Sequence, residues 1–176
     1  KNPRSAQTSG GMPGRPITVL GEGMVRIRAN NDIGDTISID QKLPNGNFTF
    51  QNLTIEPGYR AGVLFFKQDG GATHDNFTFI DVNILGSWNH VANRGKRSKW
   101  GLWAHNLKNF EFKGLTKQAR VENIHQEHGF YIQNPQGPIL IENVYGARLG
   151  RTFCQFTART KDGMPGIGSI TVRRCE

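Results

Sequence analysis

A chain of 176 residues is long enough for one domain with a real core and too short to expect two. With 36% hydrophobic and 20% charged residues its composition is that of an ordinary globular protein, and 22 glycines point to many turns rather than long helices. No run approaches the roughly 18 apolar residues of a membrane-spanning helix, two cysteines are too few for a disulfide framework, and a formal charge of +8 favours polyanionic partners.

The opening "KNPRSAQTSGGMPGR" (1–15) is rich in Ser, Gly and Pro and reads as a flexible segment or linker ahead of a domain over 16–176. The first strand-like phrase is "PITVLGEG" (16–23), followed by "MVRIRA" (24–29) and "TISID" (36–40). Then come "NFTFQNLT" (47–54), "GVLFF" (62–66) and "NFTFIDVN" (76–83), the last nearly repeating the first of these three. Beyond the long loop "GSWNHVANRGKRSKW" (86–100) stand "GLWAHN" (101–106), "NFEFKGLT" (109–116), "ARVENI" (119–124) and "GFYIQN" (129–134). "PILIENVY" (138–145), "TFCQF" (152–156) and "SITVRRCE" (169–176) complete the series.

Aligned on the first strong apolar residue, one set of phrases begins at Ile17, Phe48, Phe77, Phe110, Ile139 and Ile170, at spacings of 31, 29, 33, 29 and 31 residues. Residues i and i+2 of a strand share a face, so Phe48/Phe50, Phe77/Phe79, Phe110/Phe112, Ile139/Ile141 and Ile170/Val172 each point one way. A near-constant period of this size predicts stacked coils, each phrase one rung, with the pairs aligned as continuous apolar columns. Two or three strands fit in each period, and no segment carries a helical repeat, so the predicted class is all-β with almost no helix. A β-sandwich would space its turns by about 8–12 residues and would not echo one phrase six times.

The rung phrases, with the turn asparagines Asn52, Asn123, Asn134 and Asn143, resemble the right-handed parallel β-helix family, the pectate-lyase-like superfold, over about residues 16–176. The resemblance implies a right-handed parallel β-helix solenoid of about five to six coils, with stacked asparagines at its turns and function carried on long loops. An open solenoid exposes strand edges at its ends, and "SITVRRCE" finishes inside a strand. The domain is therefore expected to belong to a longer chain, a homo-oligomer or a larger assembly; trimers are common among viral relatives of this superfold.

Strand alternation also nominates a site. With Phe130 and Ile132 inward, Tyr131 and Gln133 point outward, and the aligned "GLWAHN" sends Trp103 and His105 out one coil earlier. Adjacent rungs lie about 4.8 Å apart, so Trp103 and Tyr131 are expected to form an exposed aromatic shelf for sugar rings, with His105 and Gln133 as polar contacts. Within the loop 86–100, Arg94, Lys96, Arg97 and Lys99 sit between Trp88 and Trp100. Of these, Arg94, Arg97 and Lys99 suit the sulfate or carboxylate groups of an acidic polysaccharide. Against this stands the plainer reading of a solvated basic loop over a second packing layer.

"HQEHGFY" (125–131) brings His125, Glu127 and His128 close together, and His105, Glu127 and His128 are the weak candidates for acid–base chemistry. The spacing does not define a zinc site. Asp69, His74 and Asp75 in "DGGATHD" could bind calcium through oxygens, but one short turn rarely supplies the six or more ligands it takes, so the expectation is no cofactor, with calcium at this turn as the alternative. Three sequons, at Asn47, Asn52 and Asn76, read as by-products of the rung phrase.

Polygalacturonase-like members of the superfold resemble one another in "NTD", "DD", "GHG" and "RIK" phrases; here only "EHG" (127–129) is similar to one of them. The favoured expectation is thus a non-catalytic structural or adhesive module, as on viral spikes, tails, capsid decorations or bacterial surfaces, contacting acidic or sulfated polysaccharide. Its expected place is extracellular, on a cell surface or on a virion, without a membrane span, and no nucleic-acid motif accompanies the charge. The alternative is a polysaccharide lyase or glycoside hydrolase, with Lys99 or Arg97 beside His105 removing a proton and steadying an enolate.

Overall fold

The computed structural model describes residues 11–12, 14–29, 34–39, 45–66, 73–86, 99–158 and 167–176. Among them there are fourteen strands and no helix. Every ladder between strands is parallel, and the chain winds as a β-solenoid.

Three faces recur in each coil. The first carries the rung phrases: β1 (Ile17–Arg28), β3 (Asn45–Glu56), β5 (His74–Ile80), β8 (Leu107–Lys113), β11 (Ile139–Glu142) and β14 (Ile170–Arg173). The second holds β6 (Asn83–Leu85), β9 (Ala119–Ile124) and β12 (Val144–Leu149), joined by the far halves of β1 and β3, which bend around the corner. The third is a five-stranded sheet of β2 (Asp35–Ile39), β4 (Ala61–Phe65), β7 (Trp100–His105), β10 (Phe130–Gln133) and β13 (Cys154–Thr157). Five strands make four stacking steps, so about four turns are stacked on all faces, fewer than the five to six expected from counting rungs.

The register matches the phrase alignment residue for residue. Ile17 pairs Phe48, Phe48 pairs Phe77, Phe77 pairs Phe110, Phe110 pairs Ile139, and Ile139 pairs Ile170. The companion column runs Val19, Phe50, Phe79, Phe112, Ile141 and Val172. Rings stack along these columns, Phe48 on Phe77 at 5.9 Å, Phe50 on Phe79 at 4.8 Å and Phe79 on Phe112 at 5.6 Å. From the third face Phe65 meets Phe77 edge-on at 4.9 Å and Phe130 meets Phe112 at 5.0 Å, which closes the core.

The corners explain the asparagines. Asn52, Asn123, Asn134 and Asn143 all take φ between 49° and 58°, the left-handed region that asparagine tolerates better than branched or bulky residues. At the corner between the first and second faces, Asn52 Nδ2 donates to the Gly21 carbonyl one coil below at 2.8 Å, and Asn143 Nδ2 to that of Gly114 at 2.9 Å. Asn47 likewise donates to Gly11 O at 2.8 Å. Two of the three sequon asparagines thus give their side-chain amides to backbone carbonyls.

On the third face, Gly62, Gly101 and Gly129 stack one above another. A Cβ on Gly101 would lie 2.5 Å from the Gly129 carbonyl oxygen, and one on Gly62 would lie 2.8 Å from that of Gly101, so the initial glycine of "GVLFF", "GLWAHN" and "GFYIQN" answers a close backbone approach. Both cysteines are free and partly buried, and burial pushes the Cys154 thiol up to about 12.

Candidate functional site

The site nominated by alternation lies on the outer side of the third face. In β7, Leu102 and Ala104 are fully buried while Trp103 and His105 turn outward; in β10, Phe130 and Ile132 are buried while Tyr131 turns outward. Trp103 pairs with Tyr131 and His105 with Gln133, the arrangement expected from sequence. Continuing the register adds Leu64 below Trp103, and Gln155 and Thr157 above Tyr131 and Gln133.

Exposure differs from the expectation. Trp103, Tyr131 and His105 are half-buried, Gln133 is 3% exposed and Leu64 2% exposed, so the shelf is not an open one. Side chains crowd one another there: Trp103 lies 4.5 Å from Trp100 and 5.5 Å from His105, and Gln133 Nε2 donates to the Tyr131 hydroxyl at 2.8 Å. The indole N–H groups of Trp100 and Trp103 are buried without an acceptor, which leaves two donors at this place unspent.

Lys99 is exposed, with its ammonium 5.9 Å above the Trp100 ring. Its carbonyl accepts the Glu127 N–H at 3.0 Å, which ties the end of the basic loop to the "HQEHGFY" turn. Arg94 and Arg97, with Lys96 and Trp88, lie outside the described residues.

His128 is 5% exposed and its ring lies 5.5 Å from that of Tyr131. Nδ1 accepts the Thr152 N–H at 3.3 Å and lies 2.7 Å from the Thr152 hydroxyl, which leaves the ring proton on Nε2. Burial pulls its pKa down; Glu127 pushes it back up, Arg151 pulls it down again, and Gln155 and Thr152 raise it, with burial prevailing. The imidazole is therefore neutral at neutral pH. Glu127 Oε2 lies 3.1 Å from Arg151 Nε and 3.7 Å from His128 Nε2.

The three acid–base candidates do not converge. His128 stands across from Trp100, five residues before His105 along the strand direction, a separation of about 16 Å at the strand rise per residue. Lys99 and His105 are kept apart in the same way. Sequence reasoning missed Arg151, Thr152 and Gln155 around His128; carrying the "GFYIQN" register one coil further into "TFCQF" would have exposed Gln155.

Among the described residues no three His, Cys, Asp or Glu side chains gather as metal ligands. His74 is fully buried with Nε2 2.6 Å from the Phe66 carbonyl, and Asp75 accepts from Asn109 at 2.7 Å, while Asp69 lies outside the described residues. Many of the described carboxylates are taken up by cations or donors: Asp35 by Arg60, Asp75 by Lys108 and Asn109, Glu111 by Lys113, Asp81 by the Thr116 hydroxyl and nearby amides. Compared with protein-family models, curated proteins and solved structures, the chain matches none.

Proposed function

We propose that the chain is a non-catalytic structural or adhesive module of a virion or cell surface, related to the pectate-lyase-like β-helices, that contacts acidic glycan. The observation that carries this reading is the Trp103/Tyr131 pair, set in register on adjacent rungs with Lys99 exposed at its edge. Aromatic faces suit the C–H surfaces of sugar rings and the ammonium suits their carboxylates or sulfates. Commitment of Asp35, Glu111 and Glu127 to cations weighs against their serving as the paired acid and base of glycoside hydrolysis.

The test is binding and end-group analysis on a panel of uronic and sulfated polysaccharides. Wild-type protein is expected to bind without generating new chain ends. Trp103→Ala is expected to weaken binding about tenfold, roughly 1.4 kcal/mol, while Trp103→Phe retains most of it and controls for packing. Equal binding by all three proteins would overturn the site. The lyase or hydrolase reading is favoured by one observation, the neutral His128 beside Tyr131; new chain ends lost in His128→Ala would establish it.

A further inference from the structure

Away from the Trp103 face, a repeated charge arrangement marks the second face and its corner. Glu56 is bracketed by Arg26, Nη1 to Oε1 at 3.0 Å, and by Arg28 on Oε2. Glu122 is bracketed by Arg120 and by Arg148, whose Nη2 lies 2.8 Å from Oε2. Glu142 is bracketed by Arg173 at 3.0 Å and Arg174 at 3.2 Å. In all three the carboxylate side chain is 5–17% exposed and the guanidinium side chains 53–75% exposed, so the surface presents arginine, not glutamate.

A nearly buried carboxylate needs a partner for its charge, but one arginine balances it, and the second leaves a net positive charge and adds repulsion from the first. What the carboxylate does supply is orientation: it engages one nitrogen of each guanidinium while the arginine side chains stay 53–67% exposed, Arg148 giving Nε to Asn123 Oδ1 at 2.6 Å as well. Forks held in this way lose little freedom when an anion arrives, and each cluster keeps one uncompensated positive charge.

The clusters also follow the solenoid axis. Ile55 pairs Ile84 and Leu85 pairs Glu122, so Glu56 and Glu122 stand in one column two rungs apart, about 10 Å. In the neighbouring column Arg26 pairs Thr54, Thr54 pairs Asn83, and Arg120 follows, three rungs or about 14 Å from Arg26. Lys117 lies exposed at the corner, bonded to Asn52 Oδ1 at 3.3 Å. Among the described residues, Glu56 and Glu122 are the bracketed carboxylates of this face; Glu22 is exposed where β1 bulges, and exposed Glu176 lies against β12, its carbonyl accepting the Gly146 N–H at 2.7 Å and its N–H donating to the Val144 carbonyl at 3.2 Å.

We propose that the arginine brackets of the second face, Arg26/Arg28 and Arg120/Arg148, form a binding site for a linear sulfated polysaccharide lying along the solenoid axis. Sulfate and carboxylate groups match the bidentate guanidinium edge, and a linear polyanion meets both brackets at once. Tyr145 is the aromatic of this face, and Arg120 lies 5.6 Å over its ring, so no free platform for stacking bases accompanies the charge. The ligand class rests on the reading above, whereas the site is a separate one.

The probe is a heparin-derived octasaccharide, titrated at several salt concentrations, with duplex and single-stranded DNA in parallel. The double variants Arg26→Gln/Arg28→Gln and Arg120→Gln/Arg148→Gln are each expected to lose at least about tenfold in affinity and to flatten the salt dependence by about one to two charges. The matching Arg→Lys doubles are expected to keep the salt dependence with weaker binding. Thr54→Glu, which adds an anion between the brackets without removing an arginine, is expected to weaken binding similarly and serves if a Gln double fails to fold. Octasaccharide affinity unchanged in Thr54→Glu and in the folded doubles overturns the site. Loss of DNA binding alone in the same variants overturns the ligand class. Loss in Trp103→Ala with the arginine variants intact overturns this site and leaves the Trp103 reading standing.

Discussion

Asp81 shows how a single residue holds two coils together. It sits 3% exposed at a corner with φ of 54°, and its carboxylate accepts the Leu115 N–H at 2.6 Å, the Thr116 N–H at 3.1 Å and the Thr116 hydroxyl at 2.6 Å from the next coil. Burial pushes the carboxyl up, but the Thr116 hydroxyl and the amides of Leu115, Thr116 and Lys117 outweigh it and hold the pKa below 3.8. A depressed carboxyl stabilises the fold at any pH above its unfolded value and loses that contribution as pH falls through the folded one. Asp81→Asn turns an acceptor-only group into one with a donor aimed at donors, a mismatch that costs about 1–3 kcal/mol. Urea midpoints measured at pH 7 and near pH 3 are expected to show a destabilised variant at neutrality and a gap to wild type that narrows in acid. An equal gap at both pH values would remove the charge from the account.

At the scale of the strand, the phenylalanine columns carry the fold. Phe79 is fully buried with Phe50, Phe112 and Phe110 at 4.8, 5.6 and 5.7 Å, so Phe79→Ala empties space that three rungs share. The expected loss is about 3–5 kcal/mol in chemical unfolding, against well under half of that for Val172→Ala, whose side chain is already 42% exposed. Comparable losses at the two positions would deny the column its role. These columns were legible in the sequence because i, i+2 alternation and a 29–33 residue period give phase and register together. The second face was legible only at "MVRIRA" and "ARVENI". Its other strands are hidden: β3 continues through Asn52 without a break, β6 spans three residues, and β12 contains Gly146 and Arg148, which weaken a strand pattern. The Trp103/Tyr131 register was readable for the same reason as the columns. Its half-burial was not, since alternation says which way a side chain points and nothing of what packs beside it.

For the molecule as a whole, stacking makes each coil depend on its neighbours alone, so stability varies along the axis. Inner-column residues of the middle rungs, Phe77, Phe79 and Phe112, are 0% exposed and Phe110 is 1% exposed. Toward the first coil, Ile17, Val19, Val25, Ile27 and Ile37 are only partly buried, as are Phe153, Cys154, Phe156 and Ile170 in the last. Opening an outer rung therefore uncovers less apolar surface than opening a middle one, and amide exchange follows the cost of opening. Exchange is expected to be slowest over Phe77–Ile80 and Phe110–Lys113, and at least about tenfold faster over Ile17–Leu20 and Ile170–Arg173, in native-state measurements by mass spectrometry. The arginine brackets cut across this gradient, since Arg26 and Arg28 lie on the first strand of the second face while Arg120 and Arg148 lie on its fourth and fifth. A sulfated octasaccharide joining both brackets should accordingly slow exchange in β1 more than in β8, which is already protected. Uniform protection along the chain would mean that the solenoid opens as one unit, and would deny the first coil any independent opening for a ligand to suppress.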